Sequence, residues 1–414
     1  LGGGLGNEVA AALRRGAVHV DVVDLDPAYA EIGSALHPEK PFDDERVTFH
    51  AADARVFLRN SAQQYDLILY TSPNRVTAST WAPHATAFGF TAEAFHEARA
   101  RLRQKGMIAL SFPVLSNALG AKLFTTLKQA FDGKPPTVVQ SGYQGGVLFL
   151  AGEGAALVHA GPTPPPDLSA RYAVGGEVST DNWPFFAALP LRVFPVSLTI
   201  LLGILAVFSA GILRYALPSE RRSGMGLSFA SFFCAGVGAV PLLTGSFIEA
   251  GWWLGSGWPT VFAWLGAGAL SAALAGWVVE RWWKLSPALG AALVALGLVL
   301  SWWVQGARES LDLPRLLALA AAFSPVLMSS FFFASLLREH TAAPVALTWM
   351  LLGACTGAGL EHSVMYFGLH SRPLLAFVAT AAAYLCIYFQ KRGTRSQSHR
   401  GGGRMFLKKA SSHR

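Results

Sequence analysis

Two rhythms of apolar and polar positions alternate along residues 1–155. Short β-branched runs stand at 18–24 (VHVDVVD), 47–52 (VTFHAA), 66–71 (DLILYT) and 107–112 (MIALSF). Their length and composition predict strands. Between them, 91–104 (TAEAFHEARARLRQ) and 118–131 (ALGAKLFTTLKQAF) carry helical patterns. Strands alternating with helices predict βαβ units and a mainly parallel sheet covered on both faces. The last pair breaks the rhythm, because TVVQS and GVLFLA are separated only by GYQGG. Five residues cannot carry a parallel crossover, so these two strands are predicted to form an antiparallel hairpin.

Periodicity fades over 152–190, where GPTPPPDLS (161–169) reads as a stiff, Pro-rich linker. Uncharged runs then occupy 193–213, 223–248, 250–279, 285–307, 316–337, 341–360 and 373–390. Each is about 18 residues or longer, enough for a helix to cross a ~30 Å hydrocarbon layer. Their Trp-rich edges (GWW, RWWK, SWW) suit a membrane interface. Soluble core helices rarely stay uncharged for so long. The organisation predicted is a soluble domain over 1–155, a linker over 156–190, a transmembrane helical domain over 191–390 with about six to eight spans, and a tail over 391–414.

Charge adds the orientation and the tail. Of 33 Lys and Arg, eight lie in 391–414, which has no acid; the rest of the chain balances 25 basic against 25 acidic residues. The whole +8 excess therefore sits in a Gly/Ser-rich stretch after the last apolar run, which reads as a disordered juxtamembrane tail rather than a nucleic-acid site. Arg214, Arg221, Arg222, Arg281, Lys284, Arg338 and this tail all follow odd-numbered runs, which places those loops in the cytoplasm. Seven spans would then put the soluble domain outside, away from any nucleotide supply. The supply argument favours a cytoplasmic domain, with one run re-entrant or two runs wrongly divided. Cys234, Cys355 and Cys386 fall in apolar runs without metal or redox spacing. No metal site is predicted.

The candidate chemistry lies at strand ends. GGGLGNE (2–8) carries Gly2, Gly4 and Gly6 into an apolar helix, and glycines let a backbone approach a ligand with no Cβ in the way. Such a loop normally follows a strand, so a strand is expected ahead of Leu1. VVDLDP offers Asp24 and Asp26 at the end of the next strand, where an acid can accept hydrogen bonds from both ribose hydroxyls. Asp53 lies just past the following strand, in reach of an adenine edge. The plainer alternative is that Asp24 and Asp53 cap helices. A dinucleotide fingerprint fails, because Asn7 and Val9 stand where its third glycine belongs, and no Lys-Ser/Thr follows for a P-loop.

The crowded Gly-x-Gly-x-Gly with a terminal hairpin resembles the class I S-adenosylmethionine-binding, Rossmann-like α/β fold. Within it, GGGLGNEV, VVDLDP, ADARVFL, YDLILY and GFTAEAFHEARARLRQKGMI resemble the spermidine synthase (aminopropyltransferase) family. TDNWPFF (180–186) and the later runs ALTWMLLGACTGAGL and ATAAAYLCIYF are similar to a bacterial branch in which this domain is joined to membrane segments. The resemblance implies that Gly2, Gly4 and Gly6 line the sulfonium side of S-adenosylmethionine or its decarboxylated form. It also implies that Asp24 holds the ribose and Asp53 the adenine amino group, and that the chain is a multi-pass protein of the bacterial inner membrane.

One position departs from the family. Its fourth strand ends in an Asp that orients and deprotonates the attacking amine, and here Thr71 stands there, followed by Ser72, Pro73 and Asn74. Threonine cannot take a proton near neutral pH or neutralise a diamine. Methyl transfer survives that loss better, since it needs mainly proximity and a dry site. His84 and Glu93 are possible replacements, and Asp66 begins the strand at the far end. Glu249 and the pair Glu361–His362 border or interrupt apolar runs, either as intramembrane sites or as interface residues. The leading expectation is a membrane-anchored transferase moving an aminopropyl or methyl group to a small or membrane-borne acceptor, with self-association left open. A catalytically degenerate binding domain regulating a membrane carrier or scaffold is the alternative. A true polyamine synthase with its base supplied elsewhere is a third.

Overall fold

A computed structural model describes the chain apart from residues 72–84, 113–115, 142–145, 160–162, 185–199, 256–257, 282–284, 307–313, 339–342, 362, 412–414 and most of 202–221. The chain divides into two compact units: Leu1–Val193 with Gly251–Val261, and Phe194–Ala250 with Phe262–Arg414.

The first unit bears the sheets. Its strands are β1 (Val20–Asp24), β2 (Val47–Ala51), β3 (Tyr65–Tyr70), β4 (Leu102–Phe112), β5 (Thr137–Gln140) and β6 (Val147–Gly152). The helices are α1 (Asn7–Arg14), α2 (Ala28–Leu36), α3 (Ala54–Asn60), α4 (Ala92–Arg99), α5 (Asn117–Ala130) and the short α6 (Ser169–Tyr172). β1 and β2 pair in parallel, and a second sheet runs in the order β3-β4-β6-β5. β3 and β4 are parallel, while β6 is antiparallel to both β4 and β5. The predicted hairpin is therefore present, with β6 inserted beside β4.

The first residues of the chain join the two sheets. Leu1 N donates to Leu69 O (2.7 Å) and Leu1 O accepts from Thr71 N (2.9 Å), while Gly2 N donates to Val23 O (2.8 Å). The glycine loop thus starts between the ends of β1 and β3. Beneath it lies an apolar core of Ile68, Phe95, Ile108, Leu110, Leu123 and Phe149. One strand is longer than its pattern predicts. The helix expected over 91–104 stops at Arg99, and β4 starts at Leu102. Within it Lys105 adopts the left-handed region (φ 67°), and the register against β3 shifts between Tyr65 and Leu67.

The second unit is helical. It draws on α7 (Arg222–Leu254), α8 (Trp258–Arg281), α9 (Pro287–Gly306), α10 (Arg315–Arg338), α11 (Ala343–Glu361) and α12 (Ser371–Ser411). Five of these are long and apolar enough to cross a membrane, within Gly226–Leu254, Trp258–Arg281, Pro287–Val304, Leu316–Arg338 and Ser371–Arg392. The apolar stretch of α11, Val345–Glu361, is shorter, and the run at 193–213 lies largely outside the described residues. α12 continues as helix through the basic segment to Ser411, where composition predicts disorder. Extending a helix already nucleated in an apolar span costs far less than starting one.

Large apolar side chains face outward here, among them Phe262, Leu270, Trp277 and Leu296. Without water outside, close packing rather than burial must hold the helices together. Gly353 and Gly236 supply it: a Cβ on Gly353 would lie 2.0 Å from Phe233 O, and one on Gly236 would lie 2.1 Å from Met350 O. Backbones of α7 and α11 touch directly there. The acids found inside apolar runs are engaged. Glu361 Oε1 accepts from Thr244 Oγ1 (2.8 Å) and pairs with Arg372, and Ser301 Oγ lies 2.7 Å from both carboxylate oxygens of Glu249. His362 lies outside the described residues.

Candidate functional site

The ends of β1, β2 and β3 meet the start of the chain at one edge of the first unit, through Gly2 N to Val23 O, Ala52 N to Asp24 O and Thr71 N to Leu1 O, and the candidate residues lie there. Gly2, Gly4 and Gly6 all adopt left-handed φ values of 77°, 50° and 97°. At Gly2 a Cβ would come within 2.9 Å of Thr71 O, and at Gly6 within 2.6 Å of Pro41 Cγ. At Gly4 it would meet nothing within 4 Å among the described residues, so the middle of the loop faces open space there. That is the face a ligand can approach.

Asp24 organises this loop. Its Oδ2 accepts from Gly4 N (3.1 Å) and its Oδ1 from Asp26 N (3.2 Å), while its own carbonyl accepts from Ala52 N (2.9 Å). One residue thus ties the glycines to the end of β2. Asp53, next in the chain, caps α3 by accepting from Arg55 N (3.0 Å) and Val56 N (3.2 Å). The capping reading of Asp53 therefore holds.

Thr71 is also engaged. Its hydroxyl lies 3.0 Å from Leu1 O and closer still to Gly2 O, pointing into the glycine loop. Its single proton binds these carbonyls, so Thr71 serves as a strut for the loop. Ser72, Pro73, Asn74 and His84 lie outside the described residues. Asp66 pairs with Arg103 (2.9 Å), and both are exposed.

Beside this edge the structure reveals a charge network that the sequence reading missed. Arg55 is 7% exposed, and its guanidinium binds Glu97 (2.8 and 2.9 Å) and Asp181 (2.7 and 2.9 Å) in two forks. Nη1 also donates to Phe88 O (2.8 Å). Thr91 Oγ1 lies 2.7 Å from Asp181 Oδ1, and Asp181 N donates to Glu93 Oε2 (3.0 Å). Burial opposes the charge on Arg55, but the two carboxylates outweigh it and push its pKa up. Burial would raise the Glu97 carboxyl, but Arg55 and Arg59 hold it below the ordinary range. Glu93 goes the other way: burial first, then the charge of Asp181, push its pKa up. A carboxyl poised in this way takes a proton more readily than an ordinary one.

The network explains two of the quoted stretches. ADARVFL supplies Arg55 and TDNWPFF supplies Asp181, 126 residues later. Their pairing clamps the chain after α6 onto α3 and α4. The one signal available was an arginine two residues after a capping acid, in a helix turned to the core.

No family profile matches the chain. Part of it is similar to a curated protein, polyamine aminopropyltransferase 1 of Streptomyces coelicolor, with 35% identity over 85 residues. That stretch is 19% of this chain and 16% of the relative. The similarity points to a spermidine synthase-like domain, and the relative's whole activity extends over much more chain than is matched.

Proposed function

We propose that the first unit binds S-adenosylmethionine or its decarboxylated form and transfers an aminopropyl or methyl group to a nucleophilic acceptor, held at a membrane by the helices of the second. The observation that carries this reading is the convergence of three left-handed glycines, Asp24 and Asp53 at one strand edge. The open space over Gly4 and the Asp24 ties to the loop fit a nucleoside with a charged tail. A parallel sheet closed by an antiparallel hairpin supports the class I S-adenosylmethionine-type fold. The Streptomyces relative favours the decarboxylated co-substrate.

In this reading Gly2, Gly4 and Gly6 lie along the tail, Asp24 holds the ribose and Asp53 the base. The sulfonium group makes the neighbouring carbon electrophilic. The chain's own task is to hold an acceptor nitrogen in its neutral form, in line with that carbon, and to take up its proton. As the N–C bond forms the C–S bond breaks, and the thioether leaves. Thr71 takes no proton, because its hydroxyl is committed to the glycine loop. Glu93, whose pKa is raised, is the proposed acceptor of that proton. The acceptor molecule is small or membrane-borne, the membrane is the bacterial inner membrane, and the first unit lies on its cytoplasmic side.

Calorimetric titration of the detergent-purified full chain tests this, with each cofactor form offered with and without putrescine. Preference for the decarboxylated form, strengthened by putrescine, establishes aminopropyl chemistry. Preference for S-adenosylmethionine establishes methyl transfer, and no binding of either overturns the reading. The commitment of Thr71 also supports a second reading, a domain that binds the cofactor without consuming it. Loss of cofactor over time under turnover conditions, or its persistence, separates the two.

A further inference from the structure

The segment 251–255 grips the candidate nucleoside acid from a side that the strand-edge reading does not use. It lies in the first unit, at the end of α7. Two guanidinium groups lie over the Trp252 ring, with Arg55 Cζ 4.1 Å and Arg59 Cζ 4.6 Å from its centroid. Phe88 meets its edge at 5.7 Å, and Arg59 Nη1 donates to Trp252 O (3.2 Å). Three residues on, Gly255 adopts φ 83°, and a Cβ there would lie 2.8 Å from Asp53 Cβ. Its N–H donates to Gly251 O (2.9 Å), and its carbonyl accepts from Thr260.

The turn is therefore fixed at both of its own peptide groups and holds α3 at two points. Trp252 holds Arg55 of its first turn and Arg59 of its last, and the Gly255 backbone lies against the side chain of its capping acid. Any residue larger than glycine at 255 must push against Asp53, and a positive φ adds strain to that push. Cation–π stacking of one ring on two arginines gives the other grip.

We propose that this turn is the positioning element for Asp53, and that it sets the preference of the site for a nucleobase carrying an exocyclic amino group. The inference rests on the nucleoside reading of the site given above. A carboxylate held at one angle discriminates between an amino donor and a carbonyl acceptor on the base, because the carbonyl faces it with no hydrogen to share. A carboxylate free to swing discriminates less.

The test compares binding of 5′-methylthioadenosine and its deaminated counterpart, 5′-methylthioinosine, by calorimetry on the full chain in detergent. The parent chain is expected to prefer the amino-bearing ligand by at least about tenfold, the value of one hydrogen bond made or left unmade at a half-buried carboxylate. Gly255→Ala is expected to shrink that ratio to about threefold or less. Gly276→Ala, at a site where a Cβ meets nothing within 4 Å among the described residues, is the control and keeps the parent ratio. A structural lesion alone would weaken both ligands together and leave the ratio intact; that result, or an unchanged ratio with unchanged affinity, overturns the proposal. If Gly255→Ala fails to accumulate, Trp252→Leu removes the stacking without touching the backbone at 255 and is read in the same way. Failure of the parent chain to bind either nucleoside overturns the reading of the site itself. A parent that discriminates beside a Gly255→Ala chain that discriminates equally overturns only the role of the turn.

Discussion

The two units solve the problem of buried polar groups in opposite ways. The first gathers its charges: Arg55 lies between Glu97 and Asp181, so that one buried guanidinium satisfies two carboxylates and closes the chain after α6 onto α3 and α4. The second keeps charges few and brings backbones together instead, with Gly236 and Gly353 placing α7 against α11 at a distance no side chain would permit. The difference follows from solvent. In water a residual charge at the rim of a network can be hydrated, whereas in lipid an unmatched polar group has nowhere to turn. One unit can therefore be broken by removing a charge, and the other by adding a few carbon atoms.

The largest effect is expected from Arg55→Met. It takes the buried guanidinium from both carboxylates, leaving Glu97 to Arg59 and Asp181 to Thr91, and loss of one partner from a buried ionic set costs about 3–5 kcal/mol. Denaturant unfolding followed on the first unit should show it, and a loss below 1 kcal/mol would remove the network from its structural role. Asp24→Ala comes next. It deletes the acceptor of two loop N–H groups as well as the proposed ribose contact, and cofactor affinity should fall by about a hundredfold or more, the equivalent of ~2.7 kcal/mol. Calorimetry measures this, and retained affinity would displace the ligand from the glycine loop.

Gly353→Leu sharpens the contrast from the other side. Overpacking costs about 1–3 kcal/mol, and thermal inactivation in detergent should register it, while Gly276→Leu, where a Cβ meets none of the described residues within 4 Å, should change little. The smallest effect is conditional on pH. Lys122 is buried with Nζ 4.1 Å from the Trp183 ring centroid, and burial lowers its pKa to about 7, against the opposing pull of Glu177. Below pH 7 both folded and unfolded chains carry its proton. Between about 7 and the ordinary lysine value of 10.5 the unfolded chain binds more protons, so stability should rise with pH across that window. Lys122→Met should flatten the rise, as read from denaturation midpoints at pH 6.5 and 9.

Local patterns carried much of this fold into the sequence. The strand at 66–71, the five-residue hairpin link and the apolar spans each advertise themselves within a short window, because period and length are local properties. Gly2, Gly4, Gly6, Asp24 and Asp53 were legible for a related reason, since each follows or precedes an element whose end could be located. Arg55 with Asp181 was not. Their spacing of 126 residues has no periodic signature, and each alone reads as a solvated charge. Trp252 was read only in part: a GWW triplet at the edge of an apolar run fits a membrane interface, and its stacking on Arg55 and Arg59 came into view only with the fold. Thr71 showed its limits as a base from its chemistry alone, but its task as a strut needed the Leu1 and Gly2 carbonyls in view.

The close approach of α7 and α11 also sets a timetable. Thr244 and its carboxylate partner Glu361 are 117 residues apart, with three whole helices between them. At about 5–20 residues added per second, α7 waits roughly 6–24 s for the segment that completes it. During that interval its glycine face has no helix to meet. Assembly of the second unit therefore includes late docking events, first of α11 and then of α12, whose Ala376, Ala383 and Ile387 join the same apolar core, and until α11 emerges the nascent chain is open to capture by membrane chaperones or proteases.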